Sequence, residues 1–447
     1  MRFLDFGELL RYRAETTPSA TAILTERDGK AHKISFRELL KDVQTRSAGL
    51  RETGKTSAGV FCDGTYETLL DLFGAALAGM QLALFSENPD RAQVEAADVD
   101  LLLGEKELAA EFADVPGGGA ADGEGRVLMF TSGTTAKNRA VALTQQSLCA
   151  AAMNGAALLP LSPDDILMCM LPLDHVFGLV CGLLWGMQCG AATALGRGPR
   201  YYFDDLTFFR PTVLPAVPLL MGFLTDRNLL NPELRLVLLG AGDCPPQLPA
   251  ALKAKGVRVH FGYGLTETSS GVALSLGEDP YAMTVCPEDR VTLAPDGEIL
   301  VESPACMMQG YYKDPEKTAQ ALRNGILATG DIGRFDEEGR LYVTGRKKEI
   351  LLFTDGTKVF LPAYERGLAA VLPGRDFAVI GVGGAAALVL RGDPAEEGRV
   401  LRQIAPYMQT LPLGQRIRAV RFVNGPLPRT ATGKIKRWEL QQKAGTQ

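Results

Sequence analysis

Short apolar runs that stop at glycine punctuate this chain and constrain its fold more than any other feature. Leu236-Val237-Leu238-Leu239 ends at Gly240, and Val257-Arg258-Val259-His260 is closely followed by Gly262, with helical patterning between them. A run of four apolar residues bounded by turn formers reads as a strand buried on both faces. Strands that alternate with helices pair in parallel, because each helix returns the chain to the same end of the sheet. The pattern begins earlier. Ser35 and Glu38 form a capping box before Leu39, Leu40 and Val43, residues 65–77 read as a helix, and Val127-Leu128-Met129-Phe130 reads as a strand. These signals predict an α/β fold, with a large N-terminal domain of βαβ-type sheets flanked by helices.

From Asp296 the texture changes to short strands with tight glycine turns: DGEILVES, GRLYVTGR and FAVIGV. A chain of 447 residues also exceeds the roughly 250–300 at which one core stops growing. We therefore expect an N-terminal domain over 1–345, a hinge, and a small C-terminal α+β domain over 346–447. The Gly/Ala-rich residues 115–126 read as a surface loop. Residues 176–196 are uncharged and long enough to cross a bilayer. Asp174 and His175 at their start and Gln188 inside favour a buried core helix instead, so no membrane span is expected.

The formal net charge of -5 argues against nucleic acid as a partner. Eight cysteines without a C-x-x-C pair, and only three histidines, argue against structural zinc. The N-terminal MRFLDFGELL is charged throughout, unlike a signal peptide, and with unpaired thiols this predicts a reducing, cytoplasmic setting.

The chemistry-bearing residues cluster at strand exits. Thr131, Ser132, Gly133, Thr134 and Thr135 directly follow the strand ending at Phe130. Hydroxyls and backbone N–H groups at such an exit can all donate to phosphate oxygens, and Lys137 and Arg139 add positive charge. Taken alone this is also a plausible polar turn, and it is no Walker loop, since G-x-x-x-x-G-K-[ST] is absent.

TSGTTAKNRAVALT resembles the signature loop of the adenylate-forming superfamily, which includes acyl-CoA synthetases, peptide-synthetase adenylation domains and luciferases. It departs from the family form at Ala136, Asn138, Arg139 and Ala140, retaining positive charge at Arg139. Further motifs follow in the family's order, and the resemblance spans roughly residues 30–440. PLDHVFG is similar to the histidine motif, which implies that His175 lies beside the carboxylate and phosphate of a forming adenylate and argues against an amino-acid substrate. Gly240-Ala241-Gly242-Asp243 is similar to the adenine-binding turn, implying nucleotide contacts at Gly242 and Asp243 and an acyl pocket at Gly240, Ala241 and His175. FGYGLTE matches x-G-Y-G-x-T-E without change. It implies adenine against Tyr263 and Gly264, the α-phosphate at Thr266, and Mg²⁺ on Glu267.

Thr329-Gly330-Asp331 and Arg346 are implied as ribose contacts, and Lys348 as the hinge. PRTATGK resembles the C-terminal lysine loop, which makes Lys434 the residue that bridges carboxylate and α-phosphate. Asp355-Gly356-Thr357-Lys358 resembles the loop beside a pantetheine tunnel, implicating Gly356 and Lys358. GYYKDPEKTAQAL (310–322) and KVFLPAYE resemble acyl-CoA synthetases of the fatty-acid type.

The resemblance implies an enzyme, an acid–thiol ligase. It would use ATP and Mg²⁺ to convert a fatty or other hydrophobic acid to acyl-AMP, then pass the acyl group to CoA. His175, Thr266, Glu267, Arg139 and Lys434 would be catalytic. Two alternatives stay open: a carrier protein's phosphopantetheine as the acceptor, and a non-catalytic nucleotide- or acyl-binding protein, suggested by the irregular loop.

Overall fold

The computed structural model describes the chain except residues 105, 113, 116–124, 132–138, 243, 245, 246, 354–356, 430–434 and 446–447. Most of the expected surface loop, and Ser132, Gly133, Thr134, Thr135, Asp243, Gly356 and Lys434, therefore lie outside the described residues.

Local signals and structure agree where short-range chemistry decides. The helix Phe36–Glu52 opens with the expected reciprocal box, Glu38 N–H donating to Ser35 Oγ and Ser35 N–H to Glu38 Oε2. The helix Tyr66–Leu77 is capped by Thr65, whose hydroxyl accepts from Thr68 N–H.

Two large sheets carry the first three-quarters of the chain. The smaller is 6-stranded, with Gln81–Phe85 parallel to both Ser57–Phe61 and Arg126–Thr131 and a hairpin joining Arg126–Thr131 to Arg139–Thr144. The larger is 14-stranded and changes character midway. Ile166–Cys169, Val213–Ala216 and Leu236–Leu239 run parallel, and the four residues of Leu236–Leu239 are all buried, as a two-sided strand requires. Beyond Arg258–Leu265 the sheet continues antiparallel through Ser270–Ser275 and the hairpin of Ile326–Phe335 with Leu341–Arg346.

Arg258–Leu265 is the junction: Arg258 to Phe261 pair in parallel with Leu236–Leu239, whereas Gly262 to Leu265 pair antiparallel with Ser270–Ser275. A register shift falls between Tyr263 and Gly264. There the backbones approach so closely that a Cβ on Gly264 would lie 1.6 Å from the Ser270 carbonyl oxygen. Only glycine fits.

Residues 176–196 do not form one buried helix. A π-helical segment, Phe177–Leu184, runs into Trp185–Cys189, and Gly190 at φ +81° ends it before the buried strand Ala192–Leu195. The glycine takes the left-handed conformation that a helix C-terminus favours, a stop that apolar patterning alone hides. No described helix is long and apolar enough to cross a membrane.

The last hundred residues build their own packing. Leu351, Tyr364, Leu368, Leu388, Val400 and Ile404 form one core, and Ala378, Ile380, Val389 and Leu440 another. Leu351 comes from the 2-stranded sheet of Ile350–Leu352 with Lys358–Phe360, and the others from the 3-stranded sheet Phe377–Val382, Ala385–Arg391, Ala419–Val423 and the helices around it.

Candidate active site

The predicted residues sit mainly where strands leave the two sheets, as expected for ligand sites in α/β folds. Thr131 ends Arg126–Thr131 and pairs across its hairpin with Arg139, so the phosphate-loop residues 132–138 span two adjacent strand ends. After Ile166–Cys169 a tight turn closes with His175 N–H donating to Pro172 O at 3.3 Å. A Cβ on Gly178 would lie 2.0 Å from that same oxygen, so Gly178 is what lets the turn fold back on the helix and present Asp174 and His175 at its tip. Among the described residues no hydrogen bond reaches the His175 ring. Leu236–Leu239 delivers Gly240 to Gly242, with Ala241 held at φ +61°, a strained conformation for a residue with a Cβ. The Phe177 ring packs on Gly240, 3.1 Å from where a Cβ would stand.

Asp331 and Arg346, fifteen residues apart, become cross-strand partners of the hairpin. Arg346 Nε donates to Asp331 Oδ1 at 2.6 Å, and the Tyr263 hydroxyl donates to Asp331 Oδ2 at 3.0 Å. The Asp331 side chain is 6% exposed and that of Arg346 39%. Burial works against the Arg346 charge, but the Asp331 carboxylate, Glu349 and Tyr263 together hold the guanidinium above its ordinary pKa. Burial and then Asp331 push the Tyr263 hydroxyl well up, so it remains a donor. Asp331→Asn should cost about 2 kcal/mol, below the range for a fully buried pair because Arg346 still reaches water. Denaturant unfolding checks this; a cost under about 0.5 kcal/mol would remove the triad from the stability of the site.

Glu267 lies in the turn after the junction strand, its carbonyl oxygen accepting from Met308 N–H. Its Oε1 accepts from the Tyr311 hydroxyl at 2.8 Å, and the Arg139 guanidinium stands 5.3 Å over the Tyr311 ring. Burial and the Glu267 carboxylate push the Tyr311 hydroxyl well above its usual range. Sequence reasoning missed Tyr311, although it stands in the GYYKD segment singled out for its resemblance. Lys347 is tied to Asp296 and Glu298 at 2.7 and 2.5 Å. Its neighbour Lys348 has no anionic partner among the described residues. Burial, then Arg139, Arg346 and Lys317, push its ammonium below the ordinary lysine range. With Lys348 unmatched by an anion of its own beside these cations, the face carries a surplus of positive charge that suits a polyanion. Thr266 is half-buried in the same turn as Glu267, and Lys358 begins the strand Lys358–Phe360.

A cavity of about 730 Å³ reaches Thr131 and His175 from the side that bears Cys62, Asp63, Glu87 and Asp174. Arg429, Lys436 and Trp438 close it from the C-terminal segment, where Arg429 and Ile435 bridge across the lysine-loop residues 430–434.

The paired sheets, the cationic face and the Tyr263–Asp331–Arg346 cluster have the layout expected of an adenylate-forming ligase. Comparison with known proteins bears on the same point. Residues 90–312 match the AMP-binding enzyme family. The chain is 27% identical to the 2-succinylbenzoate–CoA ligase of Bacillus mycoides (strain KBAB4), over 97% of this chain and 98% of the relative. Its fold is similar to that of ATP-bound MatB from Rhodopseudomonas palustris, with a TM-score of 0.82, 22% identity, and 98% of each chain covered. It is likewise similar to O-succinylbenzoate coenzyme A synthetase from Bacillus subtilis in complex with ATP and magnesium ion, with a TM-score of 0.79, 22% identity, and 97% and 99% covered. The chain belongs to the AMP-binding enzyme family and is an AMP-forming acid–thiol ligase.

Proposed function

We propose that the protein activates a compact hydrophobic carboxylic acid as its acyl-adenylate and transfers the acyl group to the thiol of CoA. The observation that carries this reading is the cationic face of Arg139, Lys348 and Lys317 abutting the Tyr263–Asp331–Arg346 clamp. A ribose held on Asp331 and Arg346 would lay its phosphates toward Arg139, Thr266 and Thr131. The acid's carboxylate attacks the α-phosphorus and pyrophosphate leaves, so the main obstacle is repulsion between anions. Arg139 and Lys434 supply positive charge there, and His175 orients the reacting carboxylate.

Glu267 fits a magnesium ion brought by ATP. Tyr311 occupies only Oε1, and Mg²⁺ typically takes one or two carboxylates plus substrate phosphates. The ion would neutralise phosphate charge. Tyr311→Phe should raise the Mg²⁺ concentration for half-maximal pyrophosphate release about tenfold, through loss of the group that orients the ligand. An unchanged Mg²⁺ titration would cut Tyr311 out of that role.

The acid is read as compact because the Phe177 ring stands close against Gly240, a residue implied to line the acyl pocket. The relatives named 2-succinylbenzoate–CoA ligases act, by that name, on a compact aryl acid. A long fatty acid is the less favoured reading. Residues 346–447 would move as a lid about Lys348, consistent with their separate cores. We place the enzyme in the cytoplasm, since none of its eight cysteines is in a disulfide.

The test is pyrophosphate release from ATP and Mg²⁺ with acids from acetate through medium and long fatty acids to aryl acids, with and without CoA. Turnover with aryl or other compact acids that CoA accelerates supports the reading. Release limited to about one equivalent and indifferent to CoA would point to a carrier-protein acceptor. Absence of release with every acid would favour a binding protein without turnover.

A further inference from the structure

The cavity beside His175 contains a carboxylate that the first half-reaction does not use. Asp174 is 9% exposed, lines the cavity with His175 and Thr131, and its Oδ1 has no hydrogen-bond partner. A buried carboxylate oxygen without a donor is costly, and it persists where a ligand supplies the donor or a function needs the group bare. The cavity shares no lining residue with the acyl turn Gly240–Gly242 or with the clamp Tyr263–Asp331–Arg346. The cavity is thus set apart from that turn and that clamp, and it touches the proposed adenylation site at Thr131 and His175. Its walls at Cys62, Asp63, Glu87 and Asp174 come from the large unit, so they stay in place when the C-terminal segment departs.

We propose that Asp174 is the general base that deprotonates the incoming thiol in the second half-reaction. This rests on the thiol-acceptor reading above. The Asp174 carboxylate takes the proton from sulfur, and the sulfur lone pair forms the C–S bond at the acyl carbonyl carbon. The bond from that carbon to the phosphate oxygen breaks, AMP leaves with the electron pair, and the proton passes from Asp174 to water at the cavity mouth. Burial raises the Asp174 carboxyl above its ordinary range, opposed by His175 and by a backbone N–H. A more basic carboxylate is a better match to a thiol, as Brønsted behaviour requires.

Other groups face the same space. Cys62 and Asp63 follow the strand Ser57–Phe61, and Glu87 and Asp90 follow Gln81–Phe85. Cys169 ends Ile166–Cys169, Tyr202 begins the helix Tyr202–Phe209, and Arg429 and Lys436 come from the C-terminal segment. Arg429 is engaged by Asp376 at 2.7 Å and Lys436 by Glu439 at 3.5 Å.

The experiment follows thioester formation from enzyme-bound acyl-adenylate, with CoA and with a phosphopantetheinylated carrier, in the wild type and in Asp174→Asn and Asp174→Ala, from pH 5.5 to 9. ATP–pyrophosphate exchange in the same preparations reports folding. At pH 6.5 the ratio of thioester rate to exchange rate should fall about 100-fold in both variants. The wild-type rate should level off once the carboxyl has ionised. The variant rates should climb about tenfold per pH unit with the thiolate and converge on the wild type near an ordinary thiol pKa of about 8.5. Variants that keep the wild-type pH profile overturn the base assignment alone. A wild type that forms no thioester with either acceptor overturns the acceptor reading, and this inference with it.

Discussion

Lys434→Ala should lower ATP–pyrophosphate exchange by about 10²–10³-fold, the scale for removing one charge-stabilising donor from a preorganised site. Thioester formation from preformed acyl-adenylate should stay within about threefold. The asymmetry follows from where charge develops. In the first step negative charge builds at pentavalent phosphorus between two anions, and a lysine ammonium offsets it. In the second step the leaving AMP is already bound, and the lid is expected to have carried Lys434 away. Lys434 lies outside the described residues, but Arg429 and Ile435 bridge across its loop, and Arg429 and Lys436 line the cavity that holds Thr131 and His175. Separate assays of the two half-reactions decide the matter. Equal loss of both would mean that Lys434 holds the structure together rather than serving adenylation.

Gly264→Ala should cost more than about 4 kcal/mol, at the extreme of single substitutions. The added methyl would meet Ser270 O at 1.6 Å, Ser270 C at 2.4 Å and Gly271 Cα at 2.9 Å, all backbone atoms of the paired strand. No rotamer change relieves a clash with backbone, so the hairpin must part. Tyr263 and Glu267 flank the position, and the clamp and the metal ligand would be lost together. Gly271→Ala is the control, since no atom lies within 4 Å of its Cβ position, and it should cost about 1 kcal/mol or less. Urea unfolding of the two variants and calorimetric ATP binding test the contrast. Comparable stabilities would show that the junction is looser than its backbone contacts imply.

Much of the site was legible before any fold was known, because its chemistry is written in short stretches. The Ser35–Glu38 box rests on hydrogen bonds three residues long, and the strand ending at Thr131 and the heptapeptide around Tyr263 are marked by residue type and spacing within a few positions. Such interactions are local, so residue type and spacing suffice to announce them. The apolar residues 176–196 show where this fails. Their hydrophobicity established burial, but the break into a helix and a strand at Gly190 depends on a left-handed backbone and on parallel pairing with Ile166–Cys169.

Partnership and burial were decided only by the tertiary structure. Tyr311 reaches Glu267 across 44 residues, and Tyr263 reaches Asp331 across 68. Lys348, expected only as a hinge, stands among three cations, and Asp174, expected only as a neighbour of His175, is a buried carboxylate with one oxygen bare. A sequence names the groups that can donate, accept or carry charge. Which of them lose water, and which find a partner, depends on elements brought together from distant parts of the chain. At this site those two facts set the pKa values and hence the chemistry.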